Sequence, residues 1–503
     1  MNIANLAVDK IKEKGESVSI IFEDREITNV QMDICASRLG NALRKLGVGK
    51  GDRVILQMPN CPEVLQSFQA VWKLGAVVVP INYLVGEEET AYIYEDSGAE
   101  VIISSKNYLS KLQACRARVA NVRHVILIEQ DSPPEYLSFQ ELLKGSPDQL
   151  PIAEVDDDDL AALIYTAGTT GRPKGVMHTH YSLYSNARMQ VESIQLPEGI
   201  RSLLVLPLCH SYGISTANNA FLRNVGPAVL LNTFDVDAIF TAIQKYQVNL
   251  MTAVPTMYIF MLFHPDPKKY DLSSMKYWIS GSAPLTMDTW KGFREMYGFE
   301  IIEGWGLTEA GANNSVNPFT GPKKVGSIGF PMKGVEMKIV NDDGKEVPPG
   351  QEGEIIIRGP IIMKGYWNKP EETREILKNG WLHTGDVGYK DQEGYYFITE
   401  RKKDLIIKAG ENIAPREIEE VIFTHPMVQE VSVIGIKNSV YGEEIKAYVV
   451  LKPNAVATEE EIKEHCLKTL ARFKMPKEVA FIAALPKNLI GKVLKKELRK
   501  LNA

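Results

Sequence analysis

The chain has 503 residues, 45% of them apolar and 24% charged, and its 57 basic and 63 acidic side chains leave a formal net charge of −6. That is the composition of a globular protein with room for several domain-sized cores, and no basic tail or stripe points to a nucleic-acid partner. The opening MNIANLAVDKIKEKGE carries charges where a signal peptide needs its apolar run, and no stretch of about eighteen apolar residues suggests an integral membrane segment.

Alternation begins early. GDRVILQM reads as a strand, CPEVLQSFQAVWKLG as a helix, and AVVVPI and AEVIISS as buried strands. Short apolar strands separated by helical segments are the mark of βαβ units, so the fold class expected is α/β. A second alternating tract runs from Asp157 to about Val340. ALIYT is a strand, the segment after His180 a helix, SLLVLPL a strand, VDAIFTAIQKY a helix, and LMTAVP and MKYWIS strands again. From Gly329 to Ile357 short strands are broken by the turn-rich DDGKEVPPGQEGE, and a small β-rich subdomain is expected there.

The last hundred residues read as a separate α+β unit. LIIKAG, VSVIGI, EIKAYVVL and EVAFIAAL are strand candidates; PREIEEVIFTHP and ATEEEIKEHCLKTLARF are helix candidates, the first with Pro415 near its start. TERKKDLI before them is a charged linker candidate. The five cysteines Cys35, Cys61, Cys115, Cys209 and Cys466 are scattered, odd in number and without metal-ligand spacing, which points to a reducing, cytoplasmic location. Loose membrane association and the choice between monomer and homodimer stay open.

The strongest local signal is YTAGTTGRPKG, Tyr165 to Gly175, after the strand-like ALIY. Its glycines allow backbone N–H groups close to a phosphate, Thr166, Thr169 and Thr170 add hydroxyls, and Lys174 adds a positive charge. The GxxxxGK[ST] spacing of a P-loop is absent, so a P-loop NTPase is the wrong reading. Further on, GWGLTEAG holds Thr308 and Glu309. A carboxylate there suits Mg²⁺, whose ligands are hard oxygens, although an acidic residue at a helix start needs no metal. HTGDVG places Asp386 in a Gly-bounded turn, where it can accept ribose hydroxyls or serve simply as a turn residue. PKNLIGKVLKKELRK holds Lys492 after Gly491, in a loop before a cationic helix. Lys487, Lys495, Lys496 and Lys500 read as a solvated face.

Taken together, YTAGTTGRPKG, SGSAPL, GWGLTE, HTGD, ERKKDLIIKAGENIAP and PKNLIGKVLKKELR resemble the adenylate-forming superfamily, in its branch of AMP-forming acyl-CoA synthetases and fatty-acid–CoA ligases. The matching order runs from about residue 20 to residue 500. The resemblance implies a large amino-terminal domain, residues 1–402, binding AMP and the acyl group, and a mobile carboxyl-terminal domain, residues 403–503. It implies ATP, Mg²⁺ and coenzyme A as cofactors and a carboxylic acid as substrate. Thr166, Ala167, Gly168, Thr169, Thr170, Gly171 and Lys174 would grip the β- and γ-phosphates. Gly281, Ser282, Ala283 and Pro284 would border the adenine, and Gly304, Trp305 and Gly306 the junction of adenine and acyl pockets. Thr308 would contact phosphate, Glu309 would hold Mg²⁺, and Asp386 and Arg401 would bind ribose. Lys492 would meet the carboxylate and the bridging oxygen. Lys403 and Asp404 fall at the hinge, and Gly410 in the loop that meets the pantetheine arm. His210, Tyr212, Trp305, Ala312 and Asn313 are acyl-side candidates, with Asn314 beside them.

This sequence reads TAG where many relatives read TSG, losing one hydroxyl, and Lys403 stands where aspartate is frequent. No cation in these segments pairs with a second substrate carboxylate, and no acidic residue besides Glu309 receives an amino group. That leaves a medium- or long-chain fatty acid as the expected substrate, with an aryl or alicyclic acid behind it. Transfer to a carrier-protein thiol, luciferase-type oxidation, a noncatalytic ATP-binding regulator and a structural protein are the other readings. The absence of a carrier domain after residue 503 favours coenzyme A, and intact Glu309, Asp386 and Lys492 favour chemistry.

Overall fold

The computed structural model describes every residue except 167–171, 224–225, 403, 409–410, 439–440, 489–490 and 502–503. Its described strands assemble into three sheets.

The first sheet begins as a parallel run. Val18–Phe22, Ala228–Leu230, Ser202–Leu204, Leu250–Ala253, Tyr277–Ser280 and Ile301–Trp305 lie side by side in that spatial order, each parallel to its neighbour. These are the short apolar segments of the second alternating tract, buried because helices cover the sheet. Helix Val236–Tyr246 is capped by Asp235, whose side chain accepts from Ala238 N. At Ile301–Trp305 the sheet changes character. Its far neighbour, Ser315–Val316, is antiparallel, and so are Ser327–Pro331, Tyr396–Arg401, Trp381–Lys390, Gly353–Arg358 and Glu336–Val340 beyond it. Crevices at the carboxyl ends of strands, where a sheet changes its connection pattern, are the usual ligand sites of α/β folds.

The second sheet is built on the parallel strands Val77–Pro80, Arg53–Gln57, Val101–Ser104 and His124–Leu127. Leu160–Thr166 joins it beside Val77–Pro80 and pairs antiparallel with Lys174–Thr179, which pairs in turn with Gly365–Tyr366. Every strand of these two sheets lies between Val18 and Arg401. The third sheet contains Glu411–Ile413, Ile406–Lys408, Gly442–Leu451, Val428–Asn438 and Glu478–Phe481. Helices Pro415–Phe423 and Glu459–Leu467 bury Ile418, Ile422, Ile462 and Cys466 in a core of its own.

Several local expectations change. Asp386 lies inside strand Trp381–Lys390 and not in a turn. Gly385, at φ +70°, produces a bulge where pairing jumps from Ile356↔His383 to Glu354↔Val387, so one glycine supplies both the turn-like sequence and the continuing strand. The linker candidate TERKKDLI starts as strand, because Tyr396–Arg401 runs through Thr399. SLLVLPL pairs only over Ser202–Leu204, and Pro207 downstream has no N–H to extend a ladder. The helix in ATEEEIKEHCLKTLARF stops at Leu467, with a single tight turn at Arg472–Lys474. All five cysteines are free thiols, and no helix among the described residues is long and apolar enough to cross a membrane.

The face of the parallel sheet bearing helix Met287–Tyr297 is held by an aromatic cluster. The Phe293 ring stands 5.1 Å from Trp278 and 5.3 Å edge-on to Tyr258, and all three are fully buried. Phe293→Ala is expected to cost about 3–5 kcal/mol of stability. Urea unfolding followed by intrinsic fluorescence should show the midpoint falling with the slope unchanged; an unmoved midpoint would contradict the packing.

Candidate functional site

The carboxyl ends of the parallel strands converge with the Leu160–Thr166/Lys174–Thr179 hairpin on one crevice. Thr166 and Lys174 face each other as the last pair of that hairpin, and Thr166 Oγ1 lies 3.4 Å from Lys174 O. Ala167, Gly168, Thr169, Thr170 and Gly171 lie outside the described residues, as do Lys403 and Gly410. The Lys174 ammonium sits 5.0 Å from the centre of the Tyr366 ring, a cation–π contact. The Tyr366 hydroxyl donates to Glu309 Oε1 at 2.8 Å. Lys174 and Glu309, 135 positions apart by number, are thereby joined through a tyrosine with no motif around it that marked it in the sequence. Burial, with the Glu309 charge beside it, pushes the Tyr366 phenol far above its ordinary range, so it remains a donor.

Glu309 belongs to the short 3₁₀ turn Thr308–Ala310 after strand Ile301–Trp305. His178, fully buried on the hairpin, fixes that turn: its Nε2 is 2.6 Å from Thr308 O and its Nδ1 is 3.1 Å from Ser182 Oγ. The hydroxyls of Thr308 and Ser211 are 3.0 Å apart. Glycine is required at Gly306, where an added Cβ would stand 1.9 Å from Ala312 O. At Gly281 it would stand 2.8 Å from the Tyr212 hydroxyl, so the Gly281–Pro284 loop owes its close seat on Tyr212 to the missing side chain. Ser282 and Ala312 hold left-handed φ of 72° and 78°, costly for residues other than glycine and frequent at functional sites.

Asp386 is 2% exposed, and both its oxygens are engaged. The Trp305 indole donates to Oδ2 at 2.9 Å, and Arg401 Nε lies 2.8 Å from Oδ1. The Asp386 charge, with Glu309 and Asp404 farther off, raises Arg401 above its already high range. Each carboxylate oxygen has a second lone pair, so the pair can still accept from a hydroxyl ligand. Asp404 pairs with Arg499 at 3.0 Å.

The carboxyl-terminal loop reaches the same crevice. Gly491, at φ +72°, lies with its carbonyl 3.3 Å from Thr256 Oγ1, and an added Cβ would meet that oxygen at 2.7 Å. Lys492 follows, its backbone N–H held by Asn488 Oδ1 at 2.9 Å. Burial lowers His210 to about 4, and the positive charge of Lys492 pushes the same way, which places that lysine on the His210 side of the crevice. His210 accepts from Tyr212 N through Nδ1 at 3.2 Å.

A cavity of about 50 Å³ opens behind Gly304, Tyr212 and Asn313, between helices His180–Ile194 and Ser211–Arg223 and the sheet. Trp305, Ala312 and Asn314 stand outside its lining. Ala312 is packed in the apolar cluster around Tyr212, while Asn314 caps its own turn by accepting from Leu307 N and donating to Ala310 O. Gln190, Asn219 and Ser315 line the cavity. They are polar members of otherwise ordinary helices and strands, with no local pattern to mark them.

No group of three or more His, Cys, Asp or Glu exists among the described residues, which rules against an all-protein cage there. Glu309 offers one carboxylate whose Oε2 makes no hydrogen bond among the described residues, which suits Mg²⁺ shared with substrate phosphates.

Two family models match the chain: AMP-binding enzyme over residues 8–367, and AMP-binding enzyme C-terminal domain over residues 417–492. A long-chain-fatty-acid–CoA ligase of Bacillus subtilis (strain 168) is 36% identical over 528 residues, covering 99% of this chain and 94% of that protein. A feruloyl-CoA synthase of an Amycolatopsis species is 35% identical over 475 residues, covering 94% of each. The crystal structure of an anthranilate CoA ligase with anthranoyl-AMP superposes with a TM-score of 0.92 at 30% identity, covering 100% of this chain and 97% of the other.

Burial also fixes a pH dependence. His178 is lowered to about 4 by desolvation against an ordinary value near 6.5. Above about 6.5 both folded and unfolded states carry it neutral. Below that the unfolded state takes up a proton that the folded state refuses, so stability falls as pH drops towards 4. The expected slope is about 1.4 kcal/mol per pH unit for this histidine. Urea unfolding across pH 6.5 to 4 should show the wild-type slope exceeding that of His178→Gln by that amount; equal slopes would reject the buried neutral imidazole.

Proposed function

The chain belongs to the AMP-binding enzyme family, and from that premise we propose that it is an AMP-forming acyl-CoA synthetase whose two reactions share the crevice just described. A carboxylate oxygen of the substrate attacks the α-phosphorus of ATP, the bond to the β-phosphate breaks, and acyl-AMP and pyrophosphate form. The coenzyme A sulfur then attacks the acyl carbonyl, the bond to AMP breaks, and the thiol proton passes to water or a phosphate oxygen. The single observation that carries this reading is the convergence of Lys174, Glu309, the Asp386–Arg401 pair and the Gly491–Lys492 loop on one crevice from four distant segments.

Thr166 and Lys174 begin and end the phosphate loop, with Ala167 to Gly171 between them. Gly281 to Pro284 flank the adenine, Gly304 to Gly306 separate it from the acyl cavity, and Thr308 supplies a phosphate contact. Glu309, held by Tyr366 through Oε1, would hold Mg²⁺ through its carboxylate. When bound, that ion neutralises phosphate charge during the displacement. Asp386 and Arg401 position the ribose hydroxyls. Lys492 offsets the charge that develops on the reacting oxygens, an electrostatic role that needs placement more than acid–base chemistry.

We divide the chain at 402/403. The unit from 403 must move for thiolysis, because Lys492, while seated beside His210, occupies the side from which the thiol approaches. Lys403 and Asp404 lie at that division, and Gly410 would meet the pantetheine arm after the movement. The free cysteines favour a cytoplasmic setting. For the acyl group, the Bacillus relative supports a medium- or long-chain fatty acid, while the narrow cavity beside Tyr212 favours an aryl or alicyclic acid as the second reading.

Lys492→Ala should slow acyl-AMP formation by roughly 3–4 kcal/mol in barrier, while thioester formation from supplied acyl-AMP changes little. Rapid-quench measurement of the two half-reactions checks this; equal losses in both would remove the assigned role.

Acid selectivity supplies a second check. Across butyrate, hexanoate, octanoate and palmitate, kcat/KM should climb by up to about 0.8 kcal/mol per methylene until the cavity is full. A maximum at benzoate or cyclohexanecarboxylate, with all linear acids poor, would replace the fatty acid by a cyclic one and leave the adenylation chemistry standing.

A further inference from the structure

The acyl cavity is walled on one side by a buried polar network. Gln190 Nε2 donates to Asn186 Oδ1 and to Ser215 Oγ, both at 2.6 Å. Asn313 Nδ2 donates to Gln190 Oε1 at 2.9 Å and to Ser215 Oγ at 3.0 Å. Asn219 Nδ2 donates to the same Gln190 oxygen. The orientation of Asn219 is therefore dictated: turned over, its carbonyl would face the Gln190 carbonyl, acceptor against acceptor. In the orientation that remains, Asn219 Oδ1 is buried and has no hydrogen-bond partner among the described residues. Ser315 Oγ, across the same cavity on the strand next to Gly304, is likewise buried and unpaired. Asn219 is 9% exposed and Ser315 is 1% exposed, so bulk water is a poor partner for either.

A buried carbonyl oxygen without a donor is costly, and such groups in native proteins call for an explanation. A purely hydrocarbon tail leaves both atoms unpaired and dry. An acyl group carrying a hydroxyl or amino substituent offers its hydrogen to Asn219 Oδ1, and Ser315 Oγ offers the same tail a second polar partner. Resting on the reading of the chain as an acyl-CoA synthetase, we infer that its physiological acid bears a hydrogen-bond donor on the part distal to the carboxylate, and that Asn219 is the residue that selects it. The remaining lining, including Ile194, Leu203, Ile279, Val316 and Met332, holds the hydrocarbon part of the same group.

The shared chemistry is a hydroxylated acyl tail, which an aromatic acid and an aliphatic acid can both supply. The test measures kcat/KM by pyrophosphate release for cinnamate against its ring-hydroxylated isomers, and for octanoate against its chain-hydroxylated isomers. The expected result is that in one series the best hydroxylated acid exceeds its parent by about 10- to 100-fold, because the site's unpaired groups reject the analogue that lacks the donor. The series in which this occurs identifies the aromatic or the aliphatic source. Asn219→Leu should reduce that ratio to near unity or invert it, and Ser315→Ala should reduce it in part. Parent acids that equal or exceed every hydroxylated isomer in both series would overturn the inference using the wild-type protein alone, while leaving the synthetase reading intact. An unchanged ratio in a folded, active Asn219→Leu protein would overturn the role of that residue. Absence of acid-dependent pyrophosphate release with all of these acids would overturn the synthetase reading and the inference together.

Discussion

The carboxylate of Asp386 is the tie on which the crevice depends. It sits in a bulge of an antiparallel strand, receives the indole of Trp305 from the last parallel strand, and faces the guanidinium of Arg401 from a third. The three residues join the sheet at the place where it changes from parallel to antiparallel. Burying this ion pair is expensive, and such pairs are weak contributors to net stability; removing one partner, however, strands a buried charge. The geometry therefore has little slack. Trp305 fixes the oxygen that Arg401 leaves, and the bulge created by Gly385 aims the carboxylate inward.

Arg401 is also the last residue of its strand, just before the division proposed at 402/403, and it is closely held. Its carbonyl accepts from Asp404 N and Leu405 N. Immediately beyond, Arg416 of the following helix donates through Nη1 to Ile398 O at 2.6 Å, and its backbone N–H donates to Glu400 Oε2 at 3.1 Å. Burial raises Glu400, while the charge of Lys495 opposes that shift. Farther along the chain, the Gly491 carbonyl accepts from Thr256 Oγ1 at 3.3 Å. The stretch next to residue 401 is thus rich in hydrogen bonds. That density suits the hinge proposed at this division, because the strand ending at Arg401 stays anchored in its sheet.

The parts of this structure that were legible in the sequence are those whose physics is local. Buried parallel strands must be short apolar runs, so VVVP, LMTA and YWIS declared themselves, and VDAIFTAIQKY read as the helix Val236–Tyr246. Glycine-rich and acidic segments carried their own chemistry in the same way. What escaped was every element set by distant partners. HTGDVG looked like a turn because Gly385 is a turn residue, yet pairing on both sides keeps the segment extended. Tyr366 had no motif, although it links Lys174 to Glu309. Asn186, Gln190, Ser215 and Asn219 read as polar positions on two unremarkable helices. Only packing those helices against the 311–314 loop turns them into a connected network.

That network gives the acyl cavity a bearing on the phosphate site. Asn186 donates to Asn313 O at 3.1 Å and packs against Gly311, where an added Cβ would lie 3.0 Å from its amide nitrogen. Gly311 closes the same tight turn that presents Thr308 and Glu309, and His178 holds that turn from the other side. On the proposed reading, the wall assigned to the acyl tail and the turn assigned to the phosphates are one hydrogen-bonded assembly. On that reading, the fit of the tail against Asn313 bears on the placement of the turn that carries Thr308 and Glu309. Binding energy from the non-reacting end of the acid can in this way be expressed in the rate of the chemical step and not only in affinity.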